Sequence, residues 1–415
     1  MNRRVVVTGI GSVTPIGLNN AELWNSLVEG VSGIYPVTRF STENHVTKFA
    51  GELKGFDFLD FFDDRKLARK MDDFTQYAVA AAKMAIDDSG LDLEKEDMNR
   101  IGVISGSGIG GMTTYEREFG KMFRDGPKRV SPFFIPMMIS DIAPGYISII
   151  YGFKGPNYST TSACATSAHA IGNAFRSIQY GEADVMIAGG SEAPVTHMGL
   201  AGFNNMKALS VRNDDPQGAS RPFDADRDGF VLGEGGGILV LEELKRAKER
   251  GAKIYAEVAG VGSTADAFHI TAPDQDGDGA IRAMRLALAD AGIAPEEVDY
   301  INAHGTSTVY NDRIETLAIK KVFGKHAFKL SVSSTKSMMG HLLGAAGAVE
   351  SIICILVIQK GVIPPTINYN SFDPECDLEY TPNKPAKRDV EVAITNSFGF
   401  GGHNVCLVIR RYQED

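Results

Sequence analysis

Residues 77–106, YAVAAAKMAIDDSGLDLEKEDMNRIGVISG, return in altered spelling as residues 280–305, AIRAMRLALADAGIAPEEVDYINAHG. Each reads as a helix, a glycine turn, an acidic loop, an apolar strand and a small-residue loop, in that order. A repeat of this size predicts a duplicated fold, and the echo extends outward on both sides. Upstream, residues 4–13 (RVVVTGIGSV) pair with 254–264 (IYAEVAGVGST). Downstream, residues 159–172 (STTSACATSAHAIG) pair with 333–347 (SSTKSMMGHLLGAAG), and the apolar strand 237–244 (GILVLEEL) pairs with 404–411 (NVCLVIRR). Strands alternating with helices imply βαβ units and sheets covered on both faces. The reading is an α/β protein of five layers, α/β/α/β/α, with two mixed, mainly parallel sheets. The halves are 1–251 and 252–415, with two similar helices face to face at the centre. Equivalent loops of the two halves then meet at one site. Residues 110–156 are an insertion rich in aromatic and methionine side chains (Phe133, Phe134, Met137, Met138, Tyr146), suited to capping a pocket, meeting a second subunit or filling the core.

Composition sets the limits. The chain has 415 residues, 43% of them hydrophobic, enough for a sizeable core, and 45 glycines. That is above the roughly 7% of ordinary proteins and marks tight turns and close backbone approaches. A net charge of −10 argues against nucleic acid or an anionic membrane as a general partner. Four scattered cysteines, Cys164, Cys354, Cys376 and Cys406, form no CxxC pair and fit a reducing compartment. The N-terminal run is too short for a signal peptide and no later run approaches a membrane span, so the expected location is the cytoplasm.

Cys164 stands apart. It lies between runs of small residues, and residues 165–180 carry Ala168, Ile171, Ala174, Phe175 and Ile178 at helical spacing, which puts the thiol at a helix start. Unpaired N–H groups there favour a thiolate, and a strand–turn–helix elbow exposes the side chain and aims an N–H at a developing oxyanion. The small neighbours Ala163, Ala165 and Ser167 are read as leaving room for substrate. An inert buried thiol is the competing reading. The second half supplies partners: His304 follows the strand 298–301, and Lys336 and His341 flank a glycine turn before another helix. Both histidines are expected at equivalent strand ends.

Four motifs, TTSACATSA (160–168), AHGTST (303–308), TKSMMGHLLGAAG (335–347) and NSFGFGGHN (396–404), resemble the β-ketoacyl synthases, specifically their elongating synthase II group in bacterial fatty acid synthesis. The likeness runs from residue 3 to 411. It implies the thiolase-like fold, usually as a homodimer, and a Cys-His-His condensing site with no cofactor and no catalytic metal. By the resemblance, Cys164 takes the acyl chain from acyl carrier protein as a thioester. His304 and His341 hydrogen-bond the malonyl thioester carbonyl as carbon dioxide leaves. An enolate needs neutral donors at its oxygen, and two imidazoles provide them. The backbone N–H groups of Cys164 and Phe400 face the acyl carbonyl, Lys336 pairs with Glu350 in support, and Phe398 stands with them. Phe400, between glycines, is the gate over the cysteine, and Ile109 and Phe203 line the acyl tunnel; chain length is expected to follow from how Ile109 packs across a dimer interface.

Carrier proteins are acidic, so an acidic enzyme must show them a local basic face. Lys66, Arg69, Lys70, Lys128, Arg129 and Lys207 match the family's docking surface. The chain departs from the pattern at Met339, where threonine is common, at Val309 and Tyr310, commonly Pro-Leu, and at His403, usually threonine. These bear on loop packing and substrate preference. GSGIGG (106–111) spells a dinucleotide fingerprint but follows the wrong strand. Two acidic loops, 224–229 and 274–279, start like calcium loops, yet their twelfth positions are Gly235 and Arg285. Competing functions are a thiolase, which needs a second cysteine as base, a polyketide synthase subunit, a silent partner lacking the nucleophile, and a non-catalytic acyl-binding protein.

Overall fold

The computed structural model describes residues 3–414. Apolar runs of the first half form strands β1 (Val5–Val13), β2 (Ile101–Gly106), β4 (Val185–Glu192) and β5 (Gly235–Glu243), beside a short exposed strand β3 (Asn157–Tyr158). Those of the second form β6 (Ala256–Ala265), β7 (Tyr300–Asn302), β8 (Ser331–Ser333), β9 (Val392–Gly399) and β10 (His403–Arg410). The principal helices are α1 (Asp73–Ser89), α2 (Met112–Asp125), α3 (Thr166–Gln179), α4 (Asp278–Ala291), α5 (Val309–Phe323) and α6 (Ala346–Lys360). The echoing stretches are α1 with β2 and α4 with β7. Both helices stop at a left-handed glycine, Gly90 (φ 63°) and Gly292 (φ 66°), where a residue without Cβ closes the last turn without strain.

Strand order confirms the duplication. The first half runs β3-β2-β4-β5-β1 and the second β8-β7-β9-β10-β6, the same order position for position. The outer three strands of each half pair in parallel, and the inner pairs are antiparallel. The expected mainly parallel pairing therefore holds only at the outer side, because β5 returns against β4 and the turn at residues 400–402 folds β10 back on β9 as a hairpin. The halves also share a ladder: β1 pairs with β6 through Val5↔Val258, Val6↔Glu257 and Val7↔Ala256. Glu257 pins this seam by accepting Arg4 Nη2 at 3.0 Å and Arg410 Nε at 2.9 Å.

Five layers follow from the packing. Helix α1 covers one face of the first half-sheet, and α4, backed by α5, covers the far face of the second. Helices α3 and α6 lie between the half-sheets, α3 against β2 and β4 of the first, α6 against β5 of the first and β9 of the second, and against each other. Every residue of α6 from Ala346 to Ile358 is buried, as a helix apolar all round should be. The stretch Leu343–Lys360 has the length and hydropathy of a membrane span, which the sequence reading overlooked, and 89% of it is buried inside the protein. Small residues let α3 and α6 touch. A Cβ on Gly347 would sit 2.8 Å from Ala168 Cβ, and Ser167 Oγ accepts the Ala348 N–H at 2.9 Å. Ser167 thus serves helix contact, not the approach of substrate, and Ala165 is fully buried.

Candidate active site

Cys164 lies in a tight turn, Ala163–Ala165, immediately before α3. Ala163 has φ 51°, the left-handed twist of an elbow. The side chain is only 7% exposed, and the N–H groups of Phe400 and of Cys164 itself lie where they favour a charge on the sulfur. Phe400 reaches it because Gly399 presses against the elbow: a Cβ there would stand 2.6 Å from Ser162 O and 3.1 Å from Cys164 N. Burial pushes the thiol up to about 12; Lys336 and the two N–H groups oppose the rise and Glu192 adds to it. The expected thiolate is therefore a neutral thiol at rest, because loss of water outweighs the amides and the ammonium.

His304 follows β7. Its N–H and that of Gly305 are donated to Glu315 at 2.9 and 2.8 Å, and Asn396 Nδ2 donates to the same carboxylate at 3.1 Å. His341 does not end a strand, contrary to expectation. It sits between a short helix, Lys336–Met339, and a second tight turn, Leu343–Ala345, held by its N–H to Val231 O at 2.7 Å. Leu343 N–H donates to His341 Nδ1 at 3.2 Å, so the neutral ring carries its proton on Nε2, a buried atom with no partner among the described residues. The two rings meet edge to face, centroids 5.3 Å apart, and Phe398 flanks His304 at 5.7 Å. Burial, and next the charge of Lys336, hold both imidazoles well below their ordinary range, hence neutral.

One ligand-type atom from each of Cys164, His304 and His341 lies within 4.8 Å of the others. By donor type the trio suits a thiophilic metal as well as a thioester. All three line a cavity of about 610 Å³ with Ile109, Phe203, Phe398 and Phe400, and Lys207, Val309 and Tyr310 line it too. Lys336 and Glu350 bond to each other behind the histidines, outside the lining. Lys66, Arg69, Lys70, Lys128 and Arg129 are exposed away from it. Lys70 Nζ lies 5.3 Å over the Phe133 ring, linking the two basic segments. Met339 is buried in the core, and His403 is half-buried beside Gly401. The four cysteines are free and buried.

Sequence reasoning missed Glu192, Glu315 and Asn396. GSGIGG was noticed, but its amides are spent internally: Gly108 and Ile109 donate their N–H groups to Glu192 at 2.7 and 3.1 Å. The acidic loops close on themselves, Asp274 accepting Asp276 N–H and Asp224 accepting Asp226 N–H.

Comparison with known proteins agrees with this geometry. Residues 2–247 match the family model described as beta-ketoacyl synthase, N-terminal domain, and residues 255–370 its C-terminal domain. A 3-oxoacyl-[acyl-carrier-protein] synthase 2 of Synechocystis is 53% identical over 411 residues, 99% of each chain. One of Staphylococcus aureus is 52% identical over 412 residues, again 99% of each. Among solved structures, a beta-ketoacyl synthase from Burkholderia phymatum superposes with a TM-score of 0.91 at 37% identity, covering 99% of this chain and 100% of the other. A type II polyketide ketosynthase, in complex with its acyl-carrier protein and bound to the hexaketide, gives 0.92 at 37% identity over 100% of both chains. With both halves matched and the cysteine and two histidines gathered in one cavity, the chain belongs to the β-ketoacyl synthase family.

Proposed function

We propose that this chain is a fatty-acid condensing acyltransferase that lengthens acyl-carrier-protein thioesters by two carbons, as its relatives named 3-oxoacyl-[acyl-carrier-protein] synthase 2 do by name. The carrying observation is the neutral trio of Cys164, His304 and His341 within 4.8 Å. In the first step the Cys164 sulfur attacks the acyl carbonyl, the bond to the carrier's sulfur breaks, and the thiol proton ends on the departing carrier thiol. The N–H groups of Cys164 and Phe400 hold the oxyanion. In the second, the malonyl C–C bond breaks, carbon dioxide leaves, and the electron pair forms an enolate whose oxygen takes a hydrogen bond from His341 Nε2–H and one from His304. The enolate carbon then attacks the Cys164 thioester, and the released thiolate recovers a proton from water. Neutral rings suit this step because charged ones would give up a proton to the enolate.

The polyketide reading has structural neighbours at 37–38% identity, and the 52–53% of the fatty-acid relatives outweighs them. A thiolase would need a second cysteine, and Cys354, Cys376 and Cys406 do not line the cavity. The same proposal makes acyl carrier protein the partner, docking on Lys66, Arg69, Lys70, Lys128, Arg129 and Lys207, of which Lys207 stands at the cavity. The chain divides into halves 1–251 and 252–415, acts in the cytoplasm, and pairs as a homodimer. Supporting the dimer, β3 is an edge strand with one open side, and Ile149 nearby in sequence is 75% exposed.

The test measures carbon dioxide and 3-oxoacyl product from malonyl- and acyl-carrier protein. Cys164→Ala should abolish condensation and leave malonyl decarboxylation intact. Condensation surviving that change would end the proposal.

A further inference from the structure

One fully buried charge beside the cavity has no task in this chemistry. Glu192, the last residue of β4, is 0% exposed. Its Oε1 accepts the Ser107 hydroxyl and the Ile109 N–H at 3.1 Å; its Oε2 accepts the N–H groups of Gly108 at 2.7 Å and Gly344 at 2.9 Å. Burial raises the Glu192 carboxyl above its ordinary range, and four donors from two separate segments oppose that rise, as a charge held in such a place requires.

The identity of Gly344 gives this arrangement a meaning. The turns Ala163–Ala165 and Leu343–Ala345 each lead into a central helix, and each opens on a residue of positive φ, Ala163 at 51° and Leu343 at 45°. Position for position, Cys164 of the first elbow corresponds to Gly344 of the second. At the first, the amide serves the nucleophile; at the second, it is donated to Glu192. A Cβ on Gly344 would stand 2.5 Å from Glu192 Oε2 and 2.4 Å from Gly108 N. The duplicated elbow thus carries no side chain and holds an internal anion where the first elbow holds its reacting group.

Both oxygens of this anion hold segments that adjoin the reacting groups. Leu343, next to Gly344, carries the N–H that orients His341. Gly108 packs on the nucleophile's elbow, its Cβ position being 3.2 Å from Ala163 O, and Ile109 lines the cavity. We propose that Glu192 is a positioning residue for condensation: by filling the second elbow it fixes the His341 ring and the loop at Gly108 and Ile109 against Cys164. This rests on the condensing function above. Its charge also faces the sulfur, as does the opposite charge of Lys336, with the neutral rings of His304 and His341 completing that surround.

The test uses the full chain and two variants, with folding checked by circular dichroism. Glu192→Gln should lower kcat for malonyl decarboxylation and condensation by about tenfold or more with KM within about twofold. Iodoacetamide alkylation of Cys164 should move to lower pH, because a negative charge facing the thiol is gone; loss of packing alone would not move the profile that way. Ser107→Ala keeps the charge but removes one donor, so kcat should fall by roughly twofold to fivefold with the alkylation profile unmoved. A Glu192→Gln profile that stays or rises overturns the proposal, as does kcat within about twofold of wild type in both variants. Should Glu192→Gln fail to fold, Ser107→Ala decides by the same kcat criterion. Alkylation needs no substrate, so it reads Glu192 even if wild type forms no 3-oxoacyl product, a result that would instead remove the function itself.

Discussion

Lys336 and Glu350 are 2% and 3% exposed and bonded to each other, so each charge is tolerable only because of the other. Lys336 acts beyond its partner, opposing the rise that burial imposes on the Cys164 thiol and adding to the burial that keeps both imidazoles neutral. Stability and reactivity should therefore separate. Lys336→Met or Glu350→Gln alone should cost about 3–5 kcal/mol in chemical denaturation, since each strands a buried group. The double variant should regain much of that stability, yet alkylate at Cys164 more slowly than wild type near pH 8, because the ammonium that favours thiolate is missing. Alkylation at the wild-type rate in the double variant would show that Lys336 acts only as a strut. Cys164, His304, His341 and Lys336 were legible in the sequence because they sit in motifs of small residues, where a reactive type is conspicuous, whereas the pairing of Lys336 with Glu350 followed only from the family resemblance. Glu192 and Glu315 were hidden: each is an acid at the end of a strand or inside a helix, and only the fold brings backbone amides to it.

The turn between β9 and β10 is a two-residue affair of shape. Gly401 (φ 86°) and Gly402 (φ 74°) turn the hairpin, and Gly399 has a separate role, lying flat against Ser162 and Cys164 so that the next amide reaches the sulfur. Gly399→Ala should push the loop off the elbow, because the backbone atoms in the way cannot yield. We expect acyl transfer to Cys164, followed by mass spectrometry of the protein, to slow by about tenfold or more, as for loss of one oxyanion donor. Melting temperature should change little, the loop being half-exposed. Unchanged acyl transfer would mean that Phe400 N–H is not needed. Helix and strand periods gave these elements in outline, but not the antiparallel return of β5 or β10. That direction depends on long or hairpin connections rather than on any period within the strand.

Across the whole molecule, the repeat disclosed two halves and a central helix pair, while the β1–β6 ladder that joins the half-sheets left no mark in the sequence, since a strand edge looks alike whether it is open or paired. Net charge sets the remaining problem: at −10 the chain repels an acidic carrier at long range, and approach must be steered locally. Lys66 and Arg69 are exposed on the short helix Arg65–Ala68 and its cap, and the following Asp72 ties this segment inward by accepting Thr114 N–H at 2.7 Å at the start of α2. Basic side chains on an anchored segment lose little order on docking, so their removal should read directly in affinity. Lys66→Glu with Arg69→Glu should raise KM for acyl- and malonyl-carrier protein by about tenfold or more at low salt, mostly through slower association, and the penalty should shrink toward 0.5 M salt, where the screening length is only a few ångströms. Small acyl thioesters, which enter the cavity without the carrier, should react at wild-type rates. If both substrate classes suffer alike, or if salt leaves the penalty unchanged, the segment does not steer the carrier and the basic residues only solvate the surface.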